Sequence, residues 1–260
     1  MLREFIDNKA LNRFCKIIDD GFRFYRLFLE GCIVGETFLI QFIDALQKSN
    51  MKYLDLEINM TKDCFRMIIK ILSTIRTIIY INLNYCDIYQ IDGSMIINSL
   101  KENQLLRVLD ISKNKIDISM ECISHTLALN KTLSVFNIGH NKISLHGAKV
   151  TASMLEITRT LLYLNISGNS LTDDGLVSIA KALKLNKSLI RLDIDECGFF
   201  DKGLSELSKV LTENSILTHL SMFRNEHITD DGINTLLNAL EINKTLLVIF
   251  ISNTTISNIM

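Results

Sequence analysis

The 260-residue sequence contains no proline and no tryptophan, and its formal charges nearly cancel, with 28 Lys and Arg against 29 Asp and Glu. A net charge of −1 provides no electrostatic footprint for nucleic acid or for an anionic membrane. No apolar run approaches the ~20 residues that a membrane-spanning helix needs. The first residues, MLREFIDNK, are too polar for a signal peptide. We therefore expect a cytoplasmic protein with neither nucleic acid nor membrane as its partner.

Motifs that carry chemistry are also missing. The six cysteines are scattered without a CxxC pair, which is typical of reduced thiols in the cytoplasm. Neither GxxxxGK[ST] nor GxGxxG occurs, so no phosphate-binding loop is expected. The five histidines have no metal-ligand spacing and none lies beside a nucleophile in an elbow-type context. The sequence therefore predicts no catalytic residue, no cofactor and no metal site, and a protein that is not an enzyme.

One stretch, residues 161–189, shows how the chain is organised. Its first part, LLYLNISGNSL, has the spacing L-x-x-L-x-L-x-x-N-x-L. Asp173-Asp174-Gly175 then reads as a helix start, where the dipole of the helix favours carboxylates. Apolar residues follow at i, i+3, i+4 and i+7, as one helix stripe requires: Leu176, Ile179, Ala180 and Leu183. The stretch therefore predicts a short strand, a turn, a helix and a loop.

This unit recurs nine times, at intervals of 27 to 29 residues. The apolar residues at the middle of the predicted strands are Leu27, Leu54, Ile81, Leu109, Phe136, Leu164, Leu192, Leu220 and Ile249. Two positions later another apolar residue follows in every unit. Five positions later the residues are Cys32, Asn59, Cys86, Asn114, Asn141, Asn169, Cys197, Asn225 and Thr254. Three registers that persist over nine units indicate a solenoid, because one unit alone cannot bury its apolar face.

The repeat resembles the leucine-rich repeats of the ribonuclease-inhibitor-like class, and the resemblance covers nearly the whole chain. It implies an α/β leucine-rich repeat solenoid, a curved horseshoe with a parallel β-sheet on its concave face and helices on its convex face. We expect one domain over residues 1–260, with an N-terminal helical cap at 1–23 and repeats at 24–260, the last one truncated. The asparagine after each strand is expected to bond backbone groups of the turn, and the small, weakly donating cysteine can replace it.

In this fold, the residues that flank each middle strand residue line the concave face. Tyrosine and arginine there favour a protein-binding role, because they bury much area with few rotatable bonds, although aromatic residues also suit strands for structural reasons. The acidic residues have an alternative interpretation, as salt-bridge partners of nearby arginines. The predicted protein-binding residues are Arg26, Tyr53, Asp55, Glu57, Tyr80, Tyr85, Tyr163, Arg191, Asp193, Asp195, Glu196, His219, Phe223 and Arg224.

The resemblance implies a curved surface that grips another protein. We therefore predict a non-enzymatic interaction module or scaffold that binds a protein partner through its concave face. Two alternatives stay open: a Ran-type GTPase-activating protein, and a secreted effector that acts by binding a host protein. No closing helix follows the last predicted strand, so a homodimer through this uncapped edge is a further prediction.

Overall fold

The computed structural model describes residues 8–30, 36–57, 62–117 and 121–252, in which strands and helices alternate. The strands are β1 (Arg26–Glu30), β2 (Tyr53–Glu57), β3 (Tyr80–Asn82), β4 (Val108–Asp110), β5 (Val135–Asn137), β6 (Tyr163–Asn165), β7 (Arg191–Asp193), β8 (His219–Ser221) and β9 (Val248–Phe250). The helices are α1 (Asn8–Asp19), α2 (Glu36–Lys48), α3 (Lys62–Thr74), α4 (Gln90–Ser99), α5 (Glu121–Leu129), α6 (Leu145–Ile157), α7 (Thr172–Leu185), α8 (Asp201–Leu211) and α9 (Asp230–Ile242).

The strands form one parallel sheet in chain order, from β1 to β9. Each step along the sheet pairs the middle residue of one strand with the middle residue of the next, as Leu54 pairs with Ile81 and Ile81 with Leu109. This register is the one predicted from the repeat. Leu54 and Leu109 are fully buried, whereas Leu27 and Ile249, in the first and last strands, are only partly buried. The middle residue of a strand is therefore fully buried only where the strand has a neighbour on both sides.

The helices form a second layer, in which each packs against the next along the chain. The predicted stripe of α7 (Leu176, Ile179, Ala180 and Leu183) is buried against the sheet core. A parallel sheet covered by helices on one side, with its strands in chain order, is an α/β solenoid. The predicted fold class is confirmed.

The asparagine ladder predicted after the strands is also present. The Asn114 amide nitrogen donates to the carbonyls of Leu83 and Ile111, both at 2.9 Å. Its oxygen accepts from the backbone N–H groups of Cys86 and Ile88, both at 3.0 Å. One side chain thus satisfies backbone groups of two successive turns. Equivalent contacts are made by Asn141, Asn169 and Asn225.

Cysteine replaces asparagine in this ladder as expected. The thiol of Cys86 donates to the Leu56 carbonyl at 2.8 Å, and that of Cys197 donates to the Asp195 carbonyl at 3.3 Å. Burial raises the pKa of the Cys197 thiol to about 12, so it stays protonated near neutral pH and serves as a donor. Cys32, Asn59 and Thr254 lie outside the described residues.

A second asparagine ladder, which was not predicted from the sequence, joins the ends of α4, α5, α7, α8 and α9 to the strands that follow them. The Asn130 amide donates to the carbonyls of Leu100 and Asn103 at 3.0 and 2.8 Å. Its oxygen accepts from the Leu133 N–H at 2.8 Å. The same arrangement occurs at Asn103, Asn186, Asn214 and Asn243. Both loops of the repeat are therefore held by buried amides.

The two ends of the solenoid bear on the predicted domain limits. Helix α1 packs against α2, in the place expected of an N-terminal cap. Residues 1–7 and 253–260 lie outside the described residues. The cap at 1–23, the single domain over 1–260 and the truncated last repeat therefore stay predictions.

Candidate protein-binding surface

One face of the sheet is not covered by helices. Side chains alternate along a strand, so the residues before and after each buried middle residue point away from the core. Strands β3 to β6 show this directly, with a buried middle residue between two partly exposed ones. The residue three positions after the middle one extends the same surface. We call these three columns the open sheet face.

Arg26, Asp55 and Tyr80 form one cluster on this face, the amino-terminal cluster. The Arg26 guanidinium donates to Asp55 Oδ2, from Nε at 2.9 Å and from Nη2 at 2.8 Å. The Asp55 carboxylate is 2% exposed, and it also acts on the Tyr80 hydroxyl. Burial, together with the charge and hydrogen bond of Asp55, raises the pKa of Tyr80 to about 12. Asp55 is thus held by Arg26 and lies beside a tyrosine that stays neutral near neutral pH.

Aromatic rings extend this cluster across the first three strands. The ring of Tyr53 lies 5.7 Å from that of Tyr80 and 5.2 Å from that of Tyr25, centroid to centroid. The Arg26 guanidinium lies 6.0 Å from the centre of the Tyr80 ring. Tyr25, 58% exposed, was missed by sequence reasoning, because it precedes β1 and lies outside the three columns. The only signal for it is a tyrosine next to a strand start.

Tyr163, Arg191 and Asp193 form a carboxy-terminal cluster of the same composition. The Arg191 guanidinium grips Asp193 with two bonds, at 3.0 and 2.8 Å, and the Tyr163 hydroxyl donates to Asp193 at 2.7 Å. Asp193 is 5% exposed, and the guanidinium lies 4.6 Å from the centre of the Tyr163 ring. Burial and the bond to Asp193 raise the pKa of Tyr163 above its ordinary range. The sequence predicted all six residues of the two clusters, but not that they form two matching sets.

The predicted residues near β8 are held by other contacts. Asp195 accepts from the Ser221 hydroxyl at 2.6 Å and from the Phe223 N–H at 2.7 Å. The Phe223 ring stacks on that of Phe250, with centroids 5.6 Å apart. His219 Nδ1 lies 2.7 Å from the Thr218 hydroxyl. These residues adjoin the carboxy-terminal cluster on the same face.

A row of left-handed residues forms the rim of the open sheet face where the strands end. These residues lie four positions after the middle strand residue, with φ between 50° and 67°: Tyr85, Lys113, His140, Gly168, Glu196 and Arg224. Glu196 and Arg224 form an exposed ion pair at 2.8 Å. A Cβ at Gly168 would lie 2.1 Å from His140 Nδ1, so a larger residue there would force the His140 ring to move. Tyr85 and Glu57, both predicted site residues, lie apart from the two clusters.

Three acidic residues of the face form salt bridges with nearby arginines. Asp55, Asp193 and Glu196 pair with Arg26, Arg191 and Arg224 respectively. Across the described ranges, no group of three or more His, Cys, Asp or Glu residues is placed to hold a metal ion. No helix in the same ranges is long and apolar enough to cross a membrane.

Comparisons with known proteins agree with this architecture. The sequence profile of the family described as "Leucine Rich repeat" matches residues 102–117, 159–180 and 213–237. An internalin (inlF) from Listeria monocytogenes is similar in structure, with a TM-score of 0.55, 18% identity, and coverage of 95% of this chain and 71% of the internalin. Among curated proteins, no sequence matches the chain.

Two further solved structures resemble parts of the chain. One is the actin-binding site 2 of leiomodin-1, with a TM-score of 0.48, 23% identity, and coverage of 58% of this chain and 88% of that one. The other is the tropomodulin C-terminal domain from Caenorhabditis elegans, with a TM-score of 0.47, 18% identity, and coverage of 56% and 90%.

In the described part of the chain, the nine-stranded sheet, its helical layer and the asparagine ladder together define an α/β repeat solenoid. The leucine-rich repeat profile matches three segments of the chain and the fold is similar to that of an internalin, so the chain contains leucine-rich repeats. Leucine-rich repeats generally mediate protein–protein interaction. Membership of the ribonuclease-inhibitor-like class stays a prediction.

Proposed function

We propose that this protein is a non-enzymatic interaction module that binds a protein partner through the open sheet face, with the two tyrosine–aspartate–arginine clusters as its anchors. The observation that carries the proposal is their repetition, since one face holds the same trio twice. In each trio a buried carboxylate fixes an arginine and a tyrosine. Side chains that are already ordered lose less conformational entropy on binding, and tyrosine and arginine are frequent interface hot spots.

The spacing of the clusters suits one partner that contacts both. Strands in a sheet lie about 4.8 Å apart, so β1 and β7 are separated by about 29 Å. A standard interface buries about 800 Å² on each partner, which a surface of this length accommodates. A partner that spans both clusters would bury Arg26 at one end and Arg191 at the other.

The first test compares the parent with a variant that combines Tyr53→Ala, Tyr80→Ala and Arg191→Ala in affinity capture from a lysate of the source organism. Arg191 also pairs with the buried Asp193, so the triple variant should lose stability, and circular dichroism must show that it is folded at the temperature of the capture. Loss of two or more hot spots should lower the affinity for a captured partner by about 30-fold or more. The control combines Tyr89→Ala and Lys101→Ala, exposed residues beside α4. Equal capture by parent and triple variant would show that the open sheet face is not the binding surface.

We further propose that the protein works in the cytoplasm, which is supported by Cys15 and Cys197, both buried thiols. A Ran-type GTPase-activating protein and a host-directed effector stay predictions. Stimulated GTP hydrolysis by a Ran-type GTPase would favour the first of these. Self-association through β9 also stays a prediction, and light scattering at high protein concentration would reveal it.

A further inference from the structure

The open sheet face carries short side chains at its centre, between the two clusters. At the position before the middle residue, β4 and β5 carry the half-buried Val108 and Val135, whereas β3 and β6 carry Tyr80 and Tyr163. Beyond the strands, the same two repeats continue with small residues. The depression, which we call the central trough, has as its floor Val108, Asp110, Ser112, Val135, Asn137 and Gly139.

The flanking tyrosines leave the trough open because each bonds outward. The Tyr163 hydroxyl donates to Asp193, which lies in β7, and the Tyr80 hydroxyl has its pKa raised by Asp55, which lies in β2. Both hydroxyl groups are therefore drawn away from β4 and β5. The buried carboxylates thus set the position of the two trough walls.

The dimensions of the trough match one secondary-structure element. From β3 to β6 there are three strand intervals, or about 14 Å. From residue 107 to residue 113 the chain covers about 20 Å at the rise of a parallel strand. An α-helix is about 10–12 Å wide with its side chains, and about 13 residues span 20 Å. One helix therefore fits the trough with its axis along the strands.

The floor carries one carboxylate, and that group is already satisfied. Asp110 Oδ1 accepts from the Ser112 N–H at 2.9 Å and from the Ser112 hydroxyl at 2.6 Å. Its Oδ2 accepts from the Asn137 amide at 2.7 Å. Three donors spread its negative charge. Val108 and Val135 add an apolar strip beside this network.

Both ends of the trough carry exposed cationic side chains. Arg107 directly precedes β4, and it has no ion-pair partner among the residues that the structure describes. At the other end, Lys113 lies 5.1 Å from the centre of the Tyr85 ring and likewise has no carboxylate partner in the described ranges. Exposed cations without a carboxylate partner favour an anionic ligand.

We infer that the central trough binds an acidic α-helix of the partner, with carboxylates at both helix ends that reach Arg107 and Lys113. The inference rests on the proposed function, since it specifies what the open sheet face takes. The valine strip contacts the middle of the helix, and the tyrosine clusters contact its sides or the segments that flank it.

A displayed library of helix-forming peptides of about 13 residues tests the inference directly. Selection on the full chain should enrich peptides with Asp or Glu at both ends. Val135→Tyr should lower the affinity for the selected peptides by about tenfold or more, because the tyrosine side chain fills the trough. Tyrosine already occupies this strand position at Tyr53, Tyr80 and Tyr163, so the variant should fold. Val248→Tyr, at the same position of β9, is the matched control and should bind as the parent does.

Charge and helicity give two further readouts. Arg107→Glu combined with Lys113→Glu should abolish binding, whereas Lys181→Glu, exposed on α7, should leave it unchanged. A proline at the centre of a selected peptide should also abolish binding, because proline breaks the helix. Peptides that are neutral or basic, that tolerate the proline, or that are never enriched would overturn the inference.

The outcomes separate this inference from the proposed function. Peptides that bind Val135→Tyr normally but are lost from the variant of Tyr53, Tyr80 and Arg191 would overturn the trough and support the open sheet face. Peptides insensitive to both changes would contradict both. Peptides sensitive to Val135→Tyr support both.

Discussion

Among single residues, the carboxylates of Asp55 and Asp193 have the largest effect on the surface. Each is almost fully buried, yet each lies on a face that points to solvent. Burial of a charge is costly unless it is paired and hydrogen-bonded, and an arginine and a tyrosine meet this need in both clusters. The same bonds fix the side chains that we propose as anchors. Stability and binding therefore depend on the same atoms.

The Tyr80–Asp55 bond predicts a pH dependence of stability. Tyr80 has a pKa of about 12 in the folded protein, against 10.0 for an ordinary tyrosine. Burial of Tyr80 and its interaction with Asp55 therefore favour the neutral hydroxyl and contribute fully below pH 10, and this contribution is lost as the pH rises through 12, because the unfolded chain releases the proton first. The urea concentration at the unfolding midpoint should decrease as the pH is raised from 10 to 12. The decrease should be smaller in Tyr80→Phe than in the parent. Tyr85→Phe, at a tyrosine 60% exposed, should decline as the parent does. Equal slopes in Tyr80→Phe and the parent would contradict the assigned bond.

Among secondary-structure elements, the first turns of α8 and α9 are held by hydrogen bonds to an aspartate of the preceding repeat. Asp173, in the first turn of α7, accepts from the N–H groups of Phe200 and Gly203, at 2.8 and 2.9 Å, where α8 begins. A Cβ at residue 203 would lie 2.7 Å from Asp173 Oδ1, so glycine makes room for the bond. The sequence interpretation of Asp173 as a partner of its own helix dipole omits this second role. Asp201 holds the Thr229 N–H before α9 in the same way.

Substitution of neighbouring aspartates separates the two roles. Asp173→Ala should lower the free energy of unfolding by about 1–2 kcal/mol, as loss of a helix cap does. Asp174→Ala removes only an exposed ion pair with Lys202, so it should cost less than about 0.5 kcal/mol. Both helix-dipole contributions are lost alike, so the difference reports the bond between repeats. Urea unfolding measures this difference in the free energy of unfolding. Equal losses in the two variants would show that the bond between repeats does not contribute to stability.

For the whole molecule, stability comes from neighbour contacts, because each strand and helix packs on the next one in the chain. The core runs without interruption from the first described helix to β9. Solenoids of this kind are stabilised by interfaces between adjacent repeats. A cavity in a central repeat thus weakens two interfaces, whereas one in the last strand weakens one.

Leu164→Ala and Ile249→Ala test this dependence on position. Leu164 is fully buried in β6, so its truncation should cost about 3–4 kcal/mol. Ile249 is only partly buried in β9. The Ile249→Ala substitution should therefore lower the free energy of unfolding by about 1–2 kcal/mol, since less buried apolar area is lost. Native-state hydrogen exchange should show faster opening on both sides of β6 in the first variant and near β9 alone in the second. A uniform increase along the chain in both variants would argue for all-or-none unfolding instead.

Much of this architecture can be predicted from the sequence. The nine described strands, their register and the first asparagine ladder follow from residues that recur every 27 to 29 positions. Periodicity reports which side chains face the core, because every unit must bury the same positions. The candidate surface residues follow from the same register. The sequence thereby predicted that Tyr163 and Asp193 share a face.

The contacts across that face follow from tertiary structure alone. Tyr163 bonds Asp193 at a separation of 30 residues, and Tyr80 bonds Asp55 at a similar separation in the opposite direction along the sheet. Spacing determines the column of a side chain but not the neighbour toward which it leans, because that choice depends on which buried carboxylate lies within reach. The two tyrosines lean apart, and the trough between them exists for that reason.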